Sequence, residues 1–135
     1  MYSTETHIRI HYALTDQMGM VYFGNYAQFY EIGRTEAIRQ LGYTYKDIEA
    51  TGIIMPVVES HSYFLRPAKY DDLITVKTIL KELPNNHSIT FYTEIFNQAK
   101  KMLNKGETTL YFIEASSMKK VKMPAQFHDK LKQYF

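Results

Sequence analysis

Between Thr15 and Tyr26 the chain reads Thr15-Asp16-Gln17-Met18-Gly19-Met20-Val21-Tyr22-Phe23-Gly24-Asn25-Tyr26, which puts a carboxylate, a glycine turn and a helix start into one short segment. A positioned carboxylate can act as general base toward water or as nucleophile toward an acyl carbon. The first N–H groups of a helix lack intrahelical acceptors and sit at the positive end of its dipole, so they can hold an anion or a developing oxyanion. Asp16 just upstream of such a terminus could therefore work on the same carbonyl that the terminus polarises. An Asp-x-x-Gly spacing also closes an ordinary type I turn, and Tyr22, Asn25 and Tyr26 equally suit aromatic core and an N-cap. Spacing alone leaves both readings open.

Few other residues compete. The five histidines, His7, His11, His61, His87 and His128, show no ligand spacing, and the chain has no cysteine. Thiolate metal sites, disulfides and cysteine nucleophiles are thereby excluded, no metal or cofactor is implied, and a reducing, cytoplasmic compartment is expected. Sixteen Lys and Arg against fourteen Asp and Glu leave a formal charge of +2, too near balance for a non-specific nucleic-acid footprint. Lys119-Lys120-Val121-Lys122 is short and has no interleaved aromatic platform, so a solvated lysine face is expected there. No apolar run reaches the ~18 residues of a membrane span, and Met1 to Glu5 lacks the order of a signal peptide.

The elements that must position Asp16 follow from periodicity. The 135 residues suit one domain spanning 1–135. His7 to Tyr12 alternates polar and apolar residues like a strand with one buried face. From Asn25 to Leu41 the positions Tyr26, Phe29, Tyr30, Gly33, Ala37 and Leu41 recur every three or four, which predicts an amphipathic helix about 25 Å long. Gly33 on that stripe costs about 1 kcal/mol relative to Ala, so the helix backbone there must approach a neighbour closely. Thr44 with Asp47 resembles a capping box opening a short helix through Ala50. Val57 to Leu65, Leu73 to Leu83, Ser88 to Asn97 and Thr108 to Ser116 read as strands, with Asn97 to Glu107 as loop. Pro124 opens a last helix with Phe127, Leu131 and Tyr134 on one side.

One strand, a long helix and four further strands indicate an α+β fold in which an antiparallel sheet curls around a central helix. Aromatics make up 15% of the chain, and long edge strands rich in Tyr, Ile and Phe are an aggregation liability in a monomer. Pairing about a two-fold axis removes it, so a homodimer is expected.

The block Thr15 to Tyr22, followed by Asn25-Tyr26, Glu31 and Arg34-Thr35-Glu36, resembles the signature of the 4-hydroxybenzoyl-CoA thioesterase family, and within it the YbgC-like acyl-CoA thioesterases of the hotdog fold. The likeness continues through Pro56-Val57-Val58-Glu59, Tyr63 to Ala68 and Tyr70-Asp71-Asp72. It implies a hotdog fold, hydrolysis of an acyl-CoA thioester to a carboxylic acid and free CoA without a cofactor, and a dimer that could pair into a dimer of dimers. Carried over by position, Asp16 is the catalytic carboxylate and Phe23 the residue whose backbone N–H polarises the carbonyl. Relatives often have His where Phe23 stands; a backbone donor does not depend on the side chain. Gly19 narrows the loop, while Tyr22, Asn25 and Tyr26 line or brace the pocket. The turn Asn85-Asn86-His87-Ser88 matches a coenzyme A contact, with Ser88 as the binding residue. Another branch of hotdog thioesterases uses a helical Glu, which makes Glu31 the rival base. Acyl carrier protein thioesters, or acyl-CoA binding without catalysis, are the alternative functions on the same scaffold.

Overall fold

The computed structural model describes residues 1–135. Its strands are β1 (Tyr2–Arg9), β2 (Ile53–Ile54), β3 (Val57–Phe64), β4 (Leu73–Leu80), β5 (Ser88–Phe96), β6 (Met102–Tyr111), β7 (Ile113–Glu114) and β8 (Lys119–Lys120); its helices are α1 (Tyr26–Gln40), α2 (Tyr45–Ala50) and α3 (Ala125–Leu131). Five strands form an antiparallel sheet in the order β1-β4-β5-β6-β3, and β2, β7 and β8 make a small second sheet. The large sheet wraps α1, the α+β hotdog arrangement expected from the sequence.

The contact between helix and sheet decides the residue at position 33. A Cβ there would lie 2.5 Å from Thr78 Oγ1 and 2.9 Å from Val76 Cγ1, both on β4, so only glycine lets the sheet close on the helix. Strict alternation in β5 is equally faithful: Ile89, Phe91, Thr93 and Ile95 are buried while their neighbours are half-exposed. At α2 the Asp47 N–H donates to Thr44 Oγ1 at 3.1 Å and the Thr44 N–H to Asp47 Oδ2 at 3.0 Å, which completes the capping box.

Several boundaries differ from the expectation. β1 begins at Tyr2 rather than His7 and stops at Arg9, with its full length paired to β4 from Tyr2 opposite Leu80 to Arg9 opposite Leu73. Its inward positions Thr4 and Thr6 are β-branched but polar, so hydrophobic alternation could not mark them. β4 ends at Leu80, short of Leu83. The expected loop from Asn97 to Glu107 is instead a tight hairpin, closed by Asn97 N–H on the Lys101 carbonyl, followed by β6 from Met102. Asn104, Lys105 and Gly106 argue against a strand by propensity, yet Asn104 is fully buried against Tyr30 and Ser62. Tyr134 leaves the α3 face for a 3-10 turn and stacks on Tyr2 at 4.7 Å.

Candidate active site

Asp16 sits on a loop that the backbone fixes at several points. Its N–H donates to the Met20 carbonyl at 2.8 Å, and its carbonyl accepts from Gly19 N–H at 3.0 Å. Gly19, at φ +77°, takes the left-handed conformation that the turn requires. Farther along, Val21 N–H bonds to Ala68 and Tyr22 N–H to Leu14, at 2.8 and 3.0 Å. Asn25 Nδ2 adds a side-chain bond to the Leu14 carbonyl at 2.8 Å. Asn25 therefore braces the loop and its side chain caps no helix.

This frame aims the half-buried carboxylate. Asp16 Oδ1 accepts from Met18 N–H at 2.9 Å and from Met20 N–H at 3.4 Å, while Oδ2 has no partner within the fold. One oxygen is held and the other is free to take a proton or attack. Around it lies a groove of about 530 Å³ lined mainly by apolar groups, among them Met18, Tyr22, Phe23, Tyr26, Phe64 and Leu65. The Phe23 and Tyr22 rings pack tilted with centroids 4.9 Å apart, and Phe64 meets Tyr26 at 5.2 Å and Phe23 at 6.2 Å, both edge-on. Burial pushes the Tyr26 phenol above its ordinary range, opposed in part by a hydrogen bond from the Ala68 backbone. A 3-10 turn, Phe23–Asn25, leads directly into α1, so Phe23 supplies the first N–H of the helical run at the groove wall.

Asp16, Tyr22, Phe23 and Tyr26 thus share one groove, with Gly19 forming the turn beside it. Ser88 is elsewhere: it opens β5 in a small polar groove with Asn85, Asn86 and Tyr92. Glu31 is exposed on α1 and lines a third groove of about 450 Å³. Phe64, Leu65 and Arg66 carry no local sign of a groove; they come from a distant strand end that only tertiary pairing brings to the loop. Arg34, which belongs to the block that carries the family likeness, is 6% exposed on the apolar face of α1 with its Nε unpartnered. Arg34 follows Tyr30 by four positions and precedes Ile38 by four, so the stripe itself marked it for burial.

The likeness to known proteins covers nearly all of this framework. The model of the thioesterase-like superfamily matches residues 10–131. The chain belongs to that superfamily. Among relatives, the chain is similar to the putative acyl-CoA thioesterase YneP of Bacillus subtilis, 31% identical over 129 residues, with 96% of this chain and 93% of that protein covered. It is similar to the acyl-CoA thioester hydrolase YbgC of Escherichia coli, 27% identical over 126 residues and 93% of each chain. Among solved structures, a DHNA-CoA thioesterase from Staphylococcus aureus superposes with a TM-score of 0.93 at 30% identity, covering 99% of this chain and 91% of that one.

Proposed function

We propose that this protein is an acyl-CoA thioesterase in which Asp16 carries the chemistry. The observation that supports this most directly is the carboxylate itself: one oxygen pinned by two backbone N–H groups, the other free, at the wall of an apolar groove beside a helix start. The acyl group lies along Tyr22, Phe23 and Phe64. Asp16 Oδ2 takes a proton from water, whose oxygen bonds to the thioester carbon as the carbonyl π pair moves onto oxygen. Phe23 N–H stabilises that oxyanion, an interaction that strengthens only as charge develops. Collapse of the intermediate breaks the C–S bond, and the thiolate leaves and takes the proton held by Asp16, which restores the carboxylate. If Asp16 instead attacks the carbon directly, the same groove holds an acyl anhydride that water then hydrolyses.

A homodimer is part of this reading. β1 faces solvent with Ser3, Glu5, His7 and Arg9, whereas the other edge strand, β3, exposes Val57, Val58, Tyr63 and Phe64. A free edge strand with exposed apolar side chains at both ends suits pairing with a second copy. Ser88, with Asn85 and Asn86, stands as the contact for the nucleotide end of coenzyme A, offered from the second copy.

The test is Asp16→Asn, which keeps shape and the turn while removing base and nucleophile. Turnover of acyl-CoA should fall by about 10² or more, with the circular dichroism spectrum unchanged. Near-normal turnover in Asp16→Asn, with loss in Glu31→Gln, would transfer the role to the helical carboxylate.

A further inference from the structure

Within one chain no two histidines stand at ligand spacing, but a two-fold axis doubles every residue beside it. The strand through which the proposed dimer pairs, β3, lies at the edge of the large sheet, and its two faces are distinct. Inward, Ser62 bonds to Tyr30 and Asn104, and Phe64 meets Tyr26. Outward stand Glu59, His61 and Tyr63, opposite Thr109, Glu107 and Lys105 of β6, with Lys105 Nζ over the Tyr63 ring at 5.4 Å. On this outer face His61 Nε2 lies 2.7 Å from Glu59 Oε1, and both side chains are more than half exposed.

Few registers are open to β3 against its own copy. A two-fold axis normal to the sheet keeps the inner face inner, and directly opposite residues share a face, so odd positions meet odd and even meet even. The bulge between Val57 and Glu59 leaves 59–64 as the regular part. An axis at Ser60 pairs only 59–61 of it, and an axis at Ser62 sets Val58 against Arg66, beyond the end of the strand. Only the axis at His61 both pairs 59–63 regularly and sets the exposed Val58 of one copy beside the exposed Phe64 of the other. Leu65 N–H donates to the Leu103 carbonyl on β6, so by alternation the odd backbone groups of β3 face β6 and the even ones face the free edge. The two His61 residues therefore meet as a non-hydrogen-bonded pair, with Cα atoms about 4.5 Å apart and side chains at their closest.

We infer that the dimer axis carries a site for a divalent transition-metal ion, Zn²⁺ by its ligand chemistry, built from His61 and Glu59 of each copy. Two imidazole nitrogens and two carboxylate oxygens complete a tetrahedral set, and two neutral imidazoles with two carboxylates balance the charge of the ion. The His61–Glu59 contact already holds one nitrogen and one oxygen side by side on each chain, and the ion takes the place of the proton between them. Glu107, across β6 from His61, is placed to accept from the second ring nitrogen, as outer-shell carboxylates do. The site lies on the outer face of the sheet, whereas the Asp16 groove opens beside the inward Phe64 and Tyr26, so the ion joins the copies and takes no part in hydrolysis. This inference rests on the homodimer of the proposed function and deepens it.

Sedimentation equilibrium of the full chain, in EDTA and in Zn²⁺, tests the site. With free Zn²⁺ about tenfold above the Kd of the site, the dimer dissociation constant should fall about tenfold, because an ion bound only by the dimer shifts assembly by mass action. Calorimetry should count one ion per two chains. His61→Gln should abolish the shift and Glu59→Gln reduce it severalfold, while His128→Gln, on α3, leaves it intact. Should His61→Gln fail to fold, Glu59→Gln decides, and an undiminished shift there is equally fatal. Equal dimer strength in EDTA and Zn²⁺, a shift that survives His61→Gln, or one ion per chain overturns the site and leaves the dimer standing. A chain that stays monomeric in both media overturns site and dimer together. The thioesterase reading fails separately, through undiminished turnover in Asp16→Asn.

Discussion

The two ends of α1 are built from the same apolar chemistry and finished in opposite ways. At the C-terminal end Ala37, Ile38, Tyr43, Ile48, Phe112, Phe127 and Leu131 form one buried cluster, with α2 and α3 laid over it. At the N-terminal end Tyr26, Phe29 and Tyr30 pack with Val21, Ala68 and Ile74, but the side chains just outside, Tyr22, Phe23, Phe64 and Leu65, are at least half exposed. The chain spends α3, with its fully buried Phe127 and Leu131, on covering one end and nothing on the other. Apolar area removed from water stabilises the fold at about 25 cal/mol per Å². The same area left open remains available to a ligand or a second copy, so stability resides at one end and, in the proposed function, binding at the other.

That division is broken most directly by truncating one phenylalanine at each end. Phe127→Ala empties a fully buried site that Tyr43 and Phe112 contact at 5.8 and 6.3 Å, and should cost about 3–5 kcal/mol in denaturant unfolding. Phe64→Ala, at a site half exposed to solvent, should cost about 1 kcal/mol or less while raising KM for acyl-CoA severalfold. Equal losses of stability at the two sites would mean that the open end is as much core as the closed one.

A smaller effect is expected between the two ends, where helix and sheet touch. Gly33→Ala gains helix propensity of about 1 kcal/mol, but its methyl meets Thr78 Oγ1 and Val76 Cγ1. Both neighbours are β-branched and buried on β4, so neither can swing aside, and overpacking of this kind costs about 1–3 kcal/mol. Net destabilisation should appear as a lowered Tm. A raised Tm would show that the sheet stands farther from the helix than these distances indicate.

What the sequence revealed divides along physical lines. Local signals were legible because they are complete within a few residues: the Thr44 to Asp47 capping box, the Asp16 to Gly19 turn and the α1 stripe all occur within one residue of where they were read. Gly33 was legible because a penalty on an apolar stripe demands a neighbour. The start of β6 was hidden, since Asn104 earns its buried place through Tyr30 and Ser62, residues on two other elements. For the same reason Asp16 could be singled out, but Phe64 and Leu65, which complete its groove, could not. Their roles depend on which strand end and which helix face the fold brings together.

The smallest expected effect lies at the sealed end and is read through pH. The last carbonyls of a helix need partners from outside it, and the Tyr2 hydroxyl donates to the Ala37 carbonyl at 2.6 Å. Burial, reinforced by the neighbouring Tyr134, pushes the Tyr2 phenol up to about 12 from an ordinary 10.0. Below pH 10 the phenol keeps its proton whether the chain is folded or not, and the contribution of this bond is complete. Between 10 and about 12 the unfolded chain sheds the proton while the folded chain holds it, so folding becomes less favourable as pH rises. Tyr26, Tyr30 and Tyr45, also raised by burial, add to the same alkaline loss, and Tyr2→Phe should therefore remove only part of it. Denaturant unfolding of the parent and of Tyr2→Phe should show the largest difference in stability below pH 10, shrinking as the pH approaches 12. A difference that stays constant across that window would mean that Tyr2 contributes through packing against Tyr134 rather than through its bond to Ala37.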